Sequence, residues 1–302
     1  MPSYEYMTVG VFTDRQFSGN PLAVFPDARG LSTERMQAIA AEFNLSETTF
    51  VLPPDDPQHH ARVRIFTPRM ELGFAGHPNV GTGFVLGRRA QNPPEHFTFE
   101  EGAGLVRVHL LRGADGVING ARVSAPRSLS IGDDIPVELV AACASLPPHD
   151  IATGAHTPLV ASVGTEFVIA EVTNADALVR ATPDLAAFRD AARRFPHLGG
   201  RFALHLYTWL GDEERKIRAR MFAPLGGVVE DPATGSANAA LAALLTSLAP
   251  GSDVDLLYDI EQGIEMGRPS RIIAGARKEA DGPVVATVSG ECVPMMRGTL
   301  DL

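Results

Sequence analysis

The residues whose types and spacing could do chemistry cluster at the starts of two apolar helices. In VVEDPATGSANAALAALL, residues 228–245, Asp231 and Pro232 lead into Thr234-Gly235-Ser236 and then into a run of alanine and leucine broken only by Asn238. A helix start carries backbone N–H groups without intrahelical partners and the positive end of the dipole, so it holds anions such as a carboxylate. Thr234, Gly235 and Ser236 add a close-approach backbone and two hydroxyls there. Gly76 and His77 supply the counterpart in GHPNVGTGFVLG. The plainer reading makes Thr234 or Ser236 an N-cap and His77 a turn residue. Asp231 can bind or protonate a substrate, and it can equally open an Asp-Pro turn. Glu47, in NLSETTFVL, is either an acid aimed at a substrate or the solvated end of an apolar strand.

Other patterns lead nowhere. GTGFVLG at 81–87 has the wrong glycine spacing for a dinucleotide site, and no parallel βαβ pattern follows it. His59-His60 lies in a polar loop without a metal-ligand pattern. Residues 234–238 lack the Gly-Lys-Ser/Thr ending of a phosphate loop. No cofactor and no metal are expected.

A helix apolar on all sides must be surrounded by protein. Short strand-like runs dominate the rest of the chain, including YMTVGVF, TTFVLP, ARVRIF, TEFVIAEV, RFALHLYTWL and VVATVSG. Helical stretches are fewer: STERMQAIAAEF, PNVGTGFVLGRR, IPVELVAACASL, DLAAFRDAARRF and the alanine-rich segment. Many strands and few helices predict an α+β protein in which barrel-like sheets wrap the apolar helices. The chain also repeats: RIFTP at Arg64–Pro68 returns as RMFAP at Arg220–Pro224, each followed by a glycine-containing loop and an apolar helix. TTFVLP likewise echoes TEFVIA. The order predicts two pseudo-symmetric domains, 1–126 and 127–292, divided within 124–134, with a strand over 293–302 able to return to the first.

With 302 residues, 45% hydrophobic, 21% charged and a net charge of −10, the chain is an ordinary globular protein. The negative balance argues against nucleic acid or an anionic membrane as partner. Two distant cysteines, Cys143 and Cys292, form no disulfide framework, and no stretch reads as a signal peptide or membrane span. A cytoplasmic protein is expected.

FSGNPLAVF (17–25), NLSETTFVL (44–52), GHPNVGTGFVL (76–86), EDPATGSANAALAALL (230–245) and EQGIEMGRPS (261–270), in this order over nearly the whole chain, resemble the PhzF-like family of phenazine biosynthesis. The resemblance implies the diaminopimelate-epimerase-like fold, with the active site in a cleft between the halves. Epimerases of that wider fold use one cysteine from each half. Here the matching places hold Gly76-His77 and Gly235-Ser236, so two-thiol racemisation is not expected. By resemblance, Glu47 is the general acid and base, with His77 and Asp231 as the other catalytic groups. Ser46, Gly76, Gly235 and Ser236 then match substrate-holding positions, joined by Thr234 at the helix start. The implied activity is a cofactor-independent isomerase moving a proton on carbon of a small carboxylate-bearing substrate, as for trans-2,3-dihydro-3-hydroxyanthranilate, in a homodimer. A carbon–oxygen lyase acting on a small hydroxy acid and a non-enzymatic binding protein are the alternatives.

Overall fold

The computed structural model describes residues 2–211, 215–280 and 282–302. In chain order the elements are β1 (Ser3–Val11), β2 (Asn20–Phe25), α1 (Thr33–Phe43), β3 (Glu47–Leu52), β4 (Ala61–Phe66), β5 (Glu71–Leu72), α2 (Gly76–Arg89), β6 (His96–Glu101), β7 (Gly104–Arg112) and β8 (Ile118–Ser124). There follow β9 (Ser130–Asp134), α3 (Val137–Cys143), β10 (Ile151–Ala152), β11 (Leu159–Ser162), β12 (Glu166–Val172), α4 (Ala175–Arg180), α5 (Leu185–Arg194), β13 (Leu204–Trp209) and β14 (Lys216–Ala223). The chain ends with β15 (Val228–Asp231), α6 (Gly235–Leu248), β16 (Val254–Gln262), β17 (Ser270–Lys278) and β18 (Val285–Asp301). Two compact units result, Met1–Pro126 with Val288–Leu302, and Arg127–Thr287. Among the described residues, no helix is long and apolar enough to cross a membrane.

In the first unit the pairs β1–β2, β3–β4, β6–β7 and β7–β8 are antiparallel, while β2–β3 and β4–β6 are parallel. β18 pairs with β8 and with β1, from Ser3↔Asp301 to Val11↔Cys292, so β1, β2, β3, β4, β6, β7, β8 and β18 close into a barrel. Closure leaves no sheet edge and makes a lumen that must be filled. α2 fills it: every residue from Gly76 through Val85 is buried. The helix fits because it is small. A Cβ on Gly81 would fall 2.6 Å from Leu22, and one on Gly83 would fall 2.5 Å from Val108. Outside the barrel, α1 is capped by the Ser32 hydroxyl, which accepts from the Arg35 N–H, and it packs Met36 and Ile39 against Phe25, Phe50 and Phe66.

The second unit repeats the pattern. β11–β12, β13–β14 and β16–β17 are antiparallel, and β12–β13 and β14–β16 are parallel. α6 takes the part of α2, with every residue from Ala237 through Thr246 buried. α3 and α5 cover the outside, packing Leu139, Val140 and Phe188 with Phe202. The register makes RIF and RMF equivalent, since Thr48 faces Phe66 and Leu204 faces Phe222. β3 therefore corresponds to β13. TEFVIA lies in β12, the counterpart of β2, so its likeness to TTFVLP does not follow the repeat. Both are short buried strands, and burial selects similar residues without regard to order.

Candidate active site

Glu47 opens β3, and the parallel register sets it opposite Leu22, two residues from Asn20 at the head of β2. The first turn of α2 brings His77 to the same place. His77 Nε2 lies 3.2 Å from Glu47 Oε2, with the two side chains 6% and 16% exposed. Asn20, fully buried, joins them: its Nδ2 is 3.4 Å from His77 Nδ1, and its Oδ1 accepts from the Ser46 hydroxyl at 3.2 Å. Burial holds the His77 imidazole far below its ordinary value, at about 3, so the ring is neutral at pH 7. An amide nitrogen only donates, so the Nδ1 facing Asn20 accepts and the ring proton sits on Nε2, the nitrogen 3.2 Å from Glu47 Oε2. The structure thus brings Ser46, Glu47, Gly76 and His77 together and adds Asn20. Asn20 lies within FSGNPLAVF, where the one signal of a role is a polar residue among strand neighbours that are buried.

No side chain caps either buried helix: neither Ala75, before α2, nor Thr234, before α6, makes a side-chain cap hydrogen bond. The electropositive starts at Gly76-His77 and Gly235-Ser236 keep the anion-holding character of bare helix ends.

In the second unit Asp231 closes β15 and is 8% exposed. Its Oδ2 accepts from the Thr234 hydroxyl at 2.5 Å. Behind this pair lie Gln262, Asn238 and His205, all fully buried and joined by hydrogen bonds. Gln262 belongs to EQGIEMGRPS and Asn238 to the helix motif, and no local pattern of residue types marks either as part of this cluster. Gly235 is buried and Ser236 half-buried at the start of α6.

Cys143 and Cys292 are buried and unbridged. Burial pushes both thiols upward, Cys143 to about 12, so neither supplies a thiolate at neutral pH. Among the described residues, no group of three or more His, Cys, Asp or Glu has metal-holding geometry.

Residues 9–298 match the family model described as phenazine biosynthesis-like protein. An uncharacterised isomerase of Mesorhizobium japonicum is 38% identical, covering 99% of each chain. The trans-2,3-dihydro-3-hydroxyanthranilate isomerase of Pseudomonas aeruginosa is 36% identical over 98% of each. A crystal structure of a Bacillus anthracis phenazine biosynthesis protein of the PhzF family superposes over 100% of both chains with a TM-score of 0.87 at 24% identity. With a barrel around an apolar helix and a match of this extent, the chain belongs to the phenazine biosynthesis-like PhzC-PhzF family.

Proposed function

We propose that the protein is a cofactor-independent isomerase that moves a proton between carbons of a small carboxylate-bearing substrate, of the trans-2,3-dihydro-3-hydroxyanthranilate isomerase type, with Glu47 as acid and base. The observation that carries this reading is the 3.2 Å approach of His77 Nε2 to Glu47 Oε2 at the start of a buried helix. The curated relatives named as isomerases support the reaction class.

The carboxylate of Glu47 takes a proton from one carbon, and the electron pair left behind spreads into the substrate's unsaturation. The same carboxyl then returns the proton to a second carbon, so no proton or electron is gained or lost overall. Neutral His77, with its proton on Nε2 beside Glu47, stabilises the Glu47 carboxylate before the first transfer and again after the second. Ser46 and Gly76 line this group. Asp231 orients the polar substituents of the substrate, and Gly235-Ser236, with Thr234, offers its carboxylate a helix start. These roles rest on the family resemblance, as does the homodimer, while the cytoplasmic location rests on cysteine usage and the lack of a signal-peptide pattern; chromatography with light scattering and cell fractionation would check them.

The test is proton NMR of trans-2,3-dihydro-3-hydroxyanthranilate in deuterated water with wild type and Glu47→Gln. Loss of the ring-proton signal with isomerised product, slowed at least ~10²-fold by Glu47→Gln, is expected. Full activity in Glu47→Gln would refute the role of the acid. Loss of the hydroxyl would mark a lyase, and binding without exchange a binding protein.

A further inference from the structure

Gln262 ends β16 and is followed by Gly263 at φ +76. A Cβ at Gly263 would fall 2.5 Å from the carbonyl oxygens of Pro232 and Arg268. Only glycine lets this turn press against the loop after Asp231. The Gln262 amide then uses its whole hydrogen-bonding capacity. Oε1 accepts from the Thr234 backbone N–H at 3.1 Å and from Asn238 Nδ2 at 2.7 Å. Nε2 donates to the Asp231 carbonyl oxygen at 2.8 Å and to Thr234 Oγ1 at 3.1 Å.

Backbone N–H groups only donate and carbonyls only accept, so two of these contacts fix which end of the amide is oxygen. The direction of every other proton follows. The Thr234 hydroxyl accepts from Gln262, and its own proton goes to Asp231 Oδ2 at 2.5 Å. Asn238 Nδ2 donates to Gln262 Oε1 and to the Thr234 carbonyl at 3.0 Å, so Asn238 Oδ1 accepts from His205 Nε2 at 3.1 Å.

The geometry points to Gln262 as a positioning residue that fixes the Asp231 carboxylate by way of the Thr234 hydroxyl, with Asn238 and His205 as its support. One amide holds the Asp231 main chain and also aims the donor that meets its side chain. Thr234 accordingly serves Asp231 before it serves any substrate. The inference rests on the catalytic part proposed above for Asp231.

A carboxyl-carbon NMR titration of the full chain tests it without substrate, with the Asp231 signal assigned through Asp231→Asn. Thr234→Val removes the hydroxyl and keeps the shape, and Gln262→Leu removes the amide. The Asp231 midpoint is expected to rise by about one pH unit in Thr234→Val, because a donor to the charged form is lost, and to rise by less in Gln262→Leu, where that donor remains but is no longer aimed. Thr234→Ser restores it. Where wild type turns substrate over, kcat falls about ten-fold in Thr234→Val with KM little changed. An Asp231 midpoint unmoved in Thr234→Val, or unmoved in a Gln262 variant that keeps the wild-type Tm (Gln262→Met where Gln262→Leu does not fold), overturns the inference. A shifted midpoint in a protein that isomerises nothing sustains this inference while the functional reading fails.

Discussion

Asn79 and Asn238 make the same hydrogen bond in the two halves of the chain. Each side-chain amide donates to the carbonyl four residues back, Ala75 or Thr234, at 3.0 Å. Each also lies against the residue that ends the next long strand, Glu101 in β6 or Gln262 in β16. The registers agree, since Arg62 faces Glu100 and Arg218 faces Glu261 in the matching parallel pairs. A carboxyl in one half thus stands where the other has an amide. Burial raises Glu101 to about 8, and a protonated carboxyl offers the amide's one essential pairing, a donor beside an acceptor.

That substitution of acid for amide predicts a pH dependence of stability. The folded-state value of Glu101 is raised from 4.5 to about 8, so the folded protein binds the extra proton. Its contribution is full below the unfolded value, drains as pH rises, and is gone above about 8. Glu101→Gln should therefore flatten the decline of Tm between acidic and alkaline pH, with the variant several degrees more stable at the alkaline end. Parallel Tm curves for the two proteins would show that the carboxyl does not titrate in this range.

Asn20 should set the tautomer of His77. Nitrogen NMR of the wild-type ring is expected to show a bare Nδ1 and a protonated Nε2. Asn20→Asp puts an acceptor against Nδ1, so the ring proton moves to that nitrogen and the His77 value rises from about 3. An unchanged ring spectrum in the variant would remove Asn20 from the site.

The seam between β8 and β18 depends on a glycine. A Cβ on Gly120 would sit 2.1 Å from the Gly290 carbonyl oxygen, and backbone cannot rotate away as a side chain can. Gly120→Ala is expected to cost about 3 kcal/mol in urea unfolding, the upper part of the range for overpacking. A loss below about 0.5 kcal/mol would mean the seam yields without strain.

Neither cysteine should matter to turnover. The double variant Cys143→Ala, Cys292→Ala is expected to keep isomerase activity within about two-fold, and native protein should react with a thiol reagent only on unfolding. Activity lost in a variant that keeps the wild-type Tm would restore thiol chemistry to consideration.

Much of the fold was legible because burial writes itself into local composition. The bare helices at 76–89 and 235–248 announced their surroundings, and the strand–loop–helix order announced the repeat. What escaped was short or non-local. α4, at six residues with an Asn174 cap, is too brief for a periodic signal. Part of the Ser-, Pro- and Gly-rich stretch read as a boundary forms β9, whose residues are all exposed and carry no apolar alternation. The TTFVLP–TEFVIA echo misled because strand composition reports burial and not position in the sheet.

The sequence by itself determined which residues stand at the ends of elements: Ser46 and Glu47 at the head of a strand, Gly76-His77 and Gly235-Ser236 at the starts of apolar helices, and Asp231 just before one of them. Cap chemistry, turn residues and periodicity are local, so a single stretch suffices to show them. Only the tertiary structure decided which of these groups meet. Asn20 and His77 lie 57 residues apart, and Gln262 and Thr234 lie 28 apart. Strand register and helix seating set such contacts to within an ångström. The direction of each hydrogen bond then follows from a neighbour's backbone, which no local pattern of side chains encodes.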